Sequence, residues 1–281
     1  MISHTKSKFL ANLPTRIILL LYSVIVLFPL IWTIYTSFKT TTEFYANPWS
    51  LPKQISFENY RNAFNEANIG AYFGNSLIVT VLALIICNTF AFMAAYVIAR
   101  YHFPFSKLLK RMYMAALFFP VAFVVVPLFM LLNQIHLLDS LFGLSIAYAA
   151  HSIPFTIYLL TGFLATIPHE YEEAGMIDGC SRFGILFRII APMAVPGIVT
   201  ITIFNFMAYW NEYIMALSFI SSENKRPLTL GLAYLMEVQR FSTDWGALFA
   251  GLVIVMVPTM VLYAILQRKI TSGISIGGIK G

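Results

Sequence analysis

The chain has 281 residues, of which 59% are apolar or aromatic and only 11% charged, with a formal net charge of +6. A soluble domain carries roughly a quarter of its residues as charged side chains, so composition argues against an ordinary soluble enzyme and against a disordered chain. The two cysteines, Cys87 and Cys180, form neither a disulfide framework nor a metal-ligand spacing, and the basic residues are scattered among short connections rather than gathered into a stripe for nucleic acid.

The apolar residues cluster into six charge-poor stretches, predicting an all-α polytopic membrane protein. The first covers about 17–38 and is bounded by Arg16 and Lys39. With 22 charge-free residues and no small-residue cleavage pattern, it reads as a retained anchor rather than a signal peptide. The second lies within 72–99, the third at about 112–132, and the fourth at about 141–167. The fifth covers about 195–220 and the sixth about 245–267. Each meets the roughly 20 residues that a crossing helix needs. The runs are continuous and do not alternate every second residue, so an outer-membrane barrel does not fit. The expected organisation is an amino-terminal segment 1–16, a membrane domain 17–267 and a tail 268–281.

Orientation follows from Lys and Arg. The amino end, the second and fourth connections and the tail hold twelve of them; the opposite side holds six. The positive-inside bias therefore predicts both termini in the cytoplasm. On the other side, 39–71 and 221–244 have room for small amphipathic helices but not for a domain.

The fourth connection, 168–192, is the most informative. Pro168 suits a helix start, with Glu170, Glu172 and Glu173 at the end of the dipole that favours acids. Gly179 is placed to break the helix, and Ser181 to cap a second short one whose apolar face holds Phe183, Leu186, Phe187 and Ile190. Pro192 and Pro196 are expected to limit its continuation. One reading is an amphipathic connection resting on headgroups. The other is a bent peg in a protein groove, with Glu173 and Asp178 supplying register.

Glu173-Ala174-Gly175, Gly179, Ile189 and Pro192 resemble, in identity and spacing, the signature loop of ABC importer permeases. Gly175 and Ala191 stand where that pattern has alanine and leucine; Gly175 is expected to loosen the first helix slightly. Phe57-Glu-Asn-Tyr60, Asn75-Ser-Leu-Ile78, Trp210-Asn-Glu-Tyr213 and the tail Gln267–Gly281 resemble the carbohydrate-uptake branch, in particular the family of the smaller maltose permease subunit. The resemblance implies the type I importer permease fold in a bacterial or archaeal cell membrane. The implied partners are a second homologous permease, two cytoplasmic ABC ATPase subunits, an extracytoplasmic solute-binding protein, a sugar and membrane lipid. It also implies that ATP closes the ATPase dimer and that the loop carries this motion into the helices, through Glu172, Glu173, Ala174, Gly175, Asp178, Gly179, Phe183, Ile189 and Pro192. The chain has no Gly-x-x-x-x-Gly-Lys-Ser/Thr loop, so ATP and Mg are expected on the ATPase subunits and no cofactor on this chain.

Glu212 is the one acid within a predicted span, with Asn205, Tyr209, Trp210 and Asn211 nearby. A carboxylate there must face protein or water. Helix packing at a subunit seam and the lining of a sugar path both account for these residues. His151 and Pro154 lie in the fourth span, where proline marks a kink. The alternatives are an ABC permease for a polyol, glycerol phosphate or amino acid, and a secondary transporter, which lacks a use for the loop at 168–192.

Overall fold

The computed structural model describes residues 13–65, 68–238 and 244–277. Residues 1–12 of the expected amino-terminal segment and 278–281 of the tail lie outside the described residues. Helices dominate and no strand occurs among the described residues. In chain order they are α1 (Leu13–Thr36), α2 (Thr41–Ala46), α3 (Glu58–Asn65), α4 (Ile69–Arg100), α5 (Ser106–Ala116) and α6 (Val121–Gln134). There follow α7 (Leu141–Leu164), α8 (Glu170–Ile177), α9 (Arg182–Trp210), α10 (Ile214–Phe219), α11 (Leu228–Val238) and α12 (Trp245–Gly277). Five are long and apolar enough to cross a membrane, or six if the bent pair α5–α6 is one span.

The chain divides into two compact units, Met1–Ile69 with Tyr234–Met256, and Gly70–Ala233 with Val257–Gly281. In the first, the apolar window of α1 buries nothing within the chain. Past its end the backbone turns sharply, and Asn59 donates to the carbonyls of Ser37 and Lys39 at 2.8 and 2.7 Å. Phe57 and Tyr60 flank Phe38, and the Tyr60 hydroxyl meets that of Ser37 at 2.6 Å. The Phe57–Tyr60 motif thus ties the segment that follows α1 to the end of that helix. Lys39 is fully buried; it donates to the Pro48 carbonyl at 2.8 Å and lies over the Tyr35 ring. Burial pulls its ammonium pKa down, with Glu43 partly opposing.

The second unit has two apolar cores. One joins Phe92, Ala95 and Tyr96 of α4 to Ile157, Leu160 and Leu164 of α7 and Ile190, Ala194 and Ile201 of α9. The other joins Val79 and Ala83 to Leu144, Tyr148, Tyr209, Met215 and Phe219. Helix α7 contributes to both, and 56% of its apolar window is buried, the largest share of any span. Polar groups join the same helices: Asn205 donates to Thr156 at 2.9 Å, and Asn88 to Thr202 at 2.8 Å.

Three expectations are corrected here. The stretch at 112–132 is not one helix: α5 and α6 meet at 107°. Pro120, with ψ 146°, caps α6 in an extended conformation, and proline disfavours helical geometry in the residue before it. The stretch at 195–220 is broken at Asn211–Tyr213, so that α10 is separate from α9. Finally, Pro192 and Pro196 do not limit the helix that begins after Ser181; α9 runs unbroken from Arg182 to Trp210. A π-helical segment, Ile185–Ile190, lets Ala191 bond to the Leu186 carbonyl, so the register has already shifted where Pro192 brings no N–H.

Candidate functional site

The segment 168–192 forms a bent pair of helices. Asp178 is the C-cap of α8, and Gly179 takes φ +77°. The Gly179 N–H bonds to the Met176 carbonyl at 3.1 Å and that of Cys180 to the Gly175 carbonyl at 2.9 Å, completing a Schellman stop. Two residues later Ser181 caps α9, accepting from the Gly184 N–H at 3.2 Å. The bend is therefore fixed by hydrogen bonds on both sides of one glycine.

Gly175 has a second role. A Cβ built on it would lie 2.5 Å from Cδ1 of Ile189 and 3.3 Å from Cγ1 of Ile185, so glycine lets α8 lie close against the π-helical segment. The expectation that Gly175 merely loosens α8 misses this contact with Ile189.

The side chains divide into two sets. Leu186, Ile190 and Glu172 are buried, whereas Ala174, Glu173, Asp178 and Pro192 are exposed and Ile189 is half-buried. Phe183 is 67% exposed and Ile177 86% exposed, so the peg presents an apolar tip rimmed by acids. Met176 and Phe187 are exposed beside them. Phe187 is on the outer face, not with Leu186 and Ile190. Ile177 and Met176 were absent from the expected contact set; their signal was two large apolar residues just before a helix-ending Asp-Gly.

Glu172 turns inward. Its Oε1 is 2.7 Å from Nε of Arg100, the last residue of α4, in an ion contact whose N–H is angled off the hydrogen-bond line. Arg100 also donates to the Ile167 carbonyl at 2.7 Å and meets Nε2 of His169 at 3.2 Å. The Arg100 and Glu172 side chains are 2% and 11% exposed. Glu172 therefore fixes the peg to the end of α4, which leaves Glu173 as the outward acid.

The second cluster, 205–212, is mostly interior. Asn205, Tyr209 and Trp210 are buried, Tyr209 stacked on Tyr148 and Trp210 on Phe206. Asn211 is exposed and donates back to the Met207 carbonyl. Glu212 lies at the break after α9 and not inside a helix, correcting its expected place. Its two carboxylate oxygens accept from the backbone N–H groups of Met215 and Ala216 at 2.7 and 3.1 Å, capping α10. The carboxylate also acts electrostatically on Tyr148 and His151.

Sequence reasoning passed over Asp139, which has φ +51°. Its carboxylate accepts from the Ser221 and Ser222 backbone N–H groups, the Ser222 hydroxyl and Lys225, clamping the connection after α10. Burial alone would raise its pKa, but the bonds from Ser222, Lys225 and Ser221 outweigh it and hold the carboxyl well below the usual carboxylate range.

Helices long and apolar enough to cross a membrane, with a glycine-hinged bend between two of them, define an all-α membrane protein. The chain belongs to the binding-protein-dependent transport system inner membrane component family, whose model matches residues 87–276. It is 41% identical over 260 residues to the diacetylchitobiose uptake system permease protein NgcG of Streptomyces coelicolor, covering 92% of this chain and 86% of that one. It is 34% identical to the sulfoquinovosyl glycerol transport system permease protein SmoH of Agrobacterium fabrum, covering 91% and 89%. A chain from the crystal structure of a bacterial ABC transporter that imports alginate superposes with a TM-score of 0.81 at 21% identity, over 93% of this chain and 97% of that one. The protein is a multi-pass subunit of an ABC importer in the inner membrane, a transport component and not itself an enzyme.

Proposed function

We propose that this subunit forms half of a carbohydrate passage and that the peg at 168–192 couples it to the ATPase. The subunit works with a second permease, two ATPase subunits and an external binding protein. The observation that carries the coupling is the exposed Phe183–Ile177 tip beside Glu173 and Asp178, an apolar knob with directional charge at a rigid bend. Carbohydrate is favoured as cargo because similar permeases along nearly the whole chain are named for diacetylchitobiose and sulfoquinovosyl glycerol. Both termini and the peg lie on the cytoplasmic side, supported by the twelve-to-six bias in Lys and Arg. Closure of the ATPase dimer on ATP moves the peg, and Arg100–Glu172 passes that motion to α4. The helices then switch between inward- and outward-facing arrangements.

The test is uptake by the reconstituted importer, supplied with its cognate binding protein and a panel of radiolabelled glucose, cellobiose, maltotriose and diacetylchitobiose. At least one sugar is expected to enter the vesicles with ATP hydrolysis. Uptake of none of them, alongside uptake of an amino acid or a polyol, overturns the carbohydrate reading.

A further inference from the structure

Midway along α7 a cavity of about 410 Å3 opens between three parts of the second unit. That volume is within the roughly 300–1,000 Å3 of small-molecule sites. Its wall includes His151, Ser152 and Phe155 of α7, Phe204 and Asn205 of α9, and the bend between α5 and α6. His151 and Ser152 stand about 15–20 Å along the helix axis from either end of α7, near the middle of a hydrocarbon layer about 30 Å thick.

Two features set this place apart from an ordinary helix-packing seam. The chain is non-helical at 117–120, and Leu117 and Phe119 from that bend line the cavity. Non-helical backbone at membrane depth is tolerated only where protein or a water-filled cavity satisfies it, and broken helices mark the substrate sites of many transporters. On the facing wall Pro154 brings no N–H to the Ala150 carbonyl, His151 is exposed and Ser152, next to it in the chain, is half-buried. Apolar faces accompany these groups: Phe155 and Phe204 meet edge to face, with centroids 6.1 Å apart at 89°. Phe204 also borders a second, larger and almost wholly apolar cavity of about 570 Å3 on the side of Lys110 and Ala165. The aromatic pair therefore stands where this chamber, which holds His151, Ser152 and Asn205, gives way to a more apolar one.

Resting on the carbohydrate reading above, we infer that this chamber is a sugar contact contributed by this subunit. His151 and Ser152 hydrogen-bond a pyranose, and Phe155 with Phe204 forms its apolar floor. Imidazole and hydroxyl both donate and accept, as sugar hydroxyls require, and an aromatic face takes the apolar side of the ring. A lipid tail matches the apolar chamber but offers nothing to the exposed His151 in this one. Asn205, already bonded to Thr156, acts as a wall and not as a ligand.

The assembled importer in proteoliposomes, with glucose, cellobiose, maltotriose and diacetylchitobiose as probes, tests this. His151→Leu is expected to lower sugar delivered per ATP hydrolysed at least fivefold, and His151→Gln, which still donates and accepts, to stay within twofold of the parent. In the same complex Ser152→Cys is expected to react with a methanethiosulfonate reagent at least threefold more slowly when sugar-loaded binding protein and ATP are present. This labelling decides the matter if His151→Leu fails to assemble. Undiminished delivery by His151→Leu, or labelling of Ser152→Cys that sugar does not slow, overturns the assignment while the parent's sugar uptake keeps the carbohydrate reading intact. A parent importer that takes up none of the probes but does take up an amino acid or a polyol removes both.

Discussion

Glu173 and Gly179 do different work within one short segment. Glu173 is exposed on α8, free of the inward contact that Glu172 makes, and its loss is felt only when another protein sits against the peg. Removing one member of a desolvated charged pair at an interface typically costs about 2–5 kcal/mol. Glu173→Ala is thus expected to leave the chain in the membrane with the second permease, while the ATPase subunits detach or hydrolyse without transport. Gly179 has open space around it, so a side chain there meets no clash; the cost is backbone strain at φ +77°, about 1–2 kcal/mol. Gly179→Leu should re-aim α9 relative to α8 and uncouple to a similar degree. Co-purification in detergent and binding-protein-stimulated ATPase activity check both; full retention and full coupling in both variants would remove the peg from the transmission. Asp139 offers a pH test. Its carboxyl is depressed in the folded state, so its contribution is present above the ordinary carboxylate pKa and is lost as pH falls through the lower folded value. Asn tolerates the same positive φ, so Asp139→Asn isolates the charge. It should lower thermal stability near neutral pH by about 1–3 kcal/mol, and the loss of stability below about pH 4 should flatten. Melting curves that keep the parent's acid sensitivity would contradict this.

Between elements, the Arg100–Glu172 contact ties α4 to α8. Opening a buried pair from one side costs about 3–5 kcal/mol, more than a surface pair. Arg100→Gln should therefore loosen the peg more than Glu173→Ala does, lowering the melting temperature as well as coupling. The double variant Arg100→Met with Glu172→Met should recover much of the stability. Equal stability of Arg100→Gln and the parent in a melting assay would show the pair to be slack. At the break between α9 and α10, Glu212 offers two oxygens to two backbone N–H groups. Glu212→Gln keeps one acceptor and should transport at a reduced rate, whereas Glu212→Ala loses the cap, about 0.5–2 kcal/mol, and should be worse. Uptake equal to the parent by both variants would reduce the cap to an incidental contact.

At the scale of the whole molecule, the prediction is sidedness. In a chain whose Cys87 and Cys180 are replaced by serine, Ser181→Cys and Ser221→Cys should react with an impermeant thiol reagent from opposite sides. Ser221 suits this because its backbone, and not its hydroxyl, bonds Asp139. Labelling of both from outside intact cells would reverse the orientation argument.

The sequence alone determined the class of protein, because hydrophobic length and charge asymmetry are properties of the chain itself. It also determined the bend of the peg, since Gly179 and Ser181 act within a few residues of their own backbone. The break at Pro120 and the cap at Glu212 were written in the sequence as well, but hydropathy counts apolar residues and passes over a helix that stops. What only the tertiary structure decided is direction and partnership. Glu172 and Glu173 are neighbours of identical chemistry, and only the arrival of Arg100 from α4 turns one inward. Gly175 reads as a weak point until Ile189 is packed against it. Phe183 and Phe187 face out while Leu186 and Ile190 face in, because α7 and α4 cover one side of α9 and leave the other bare. Such choices depend on residues tens of positions away, and their energies appear only when the helices meet.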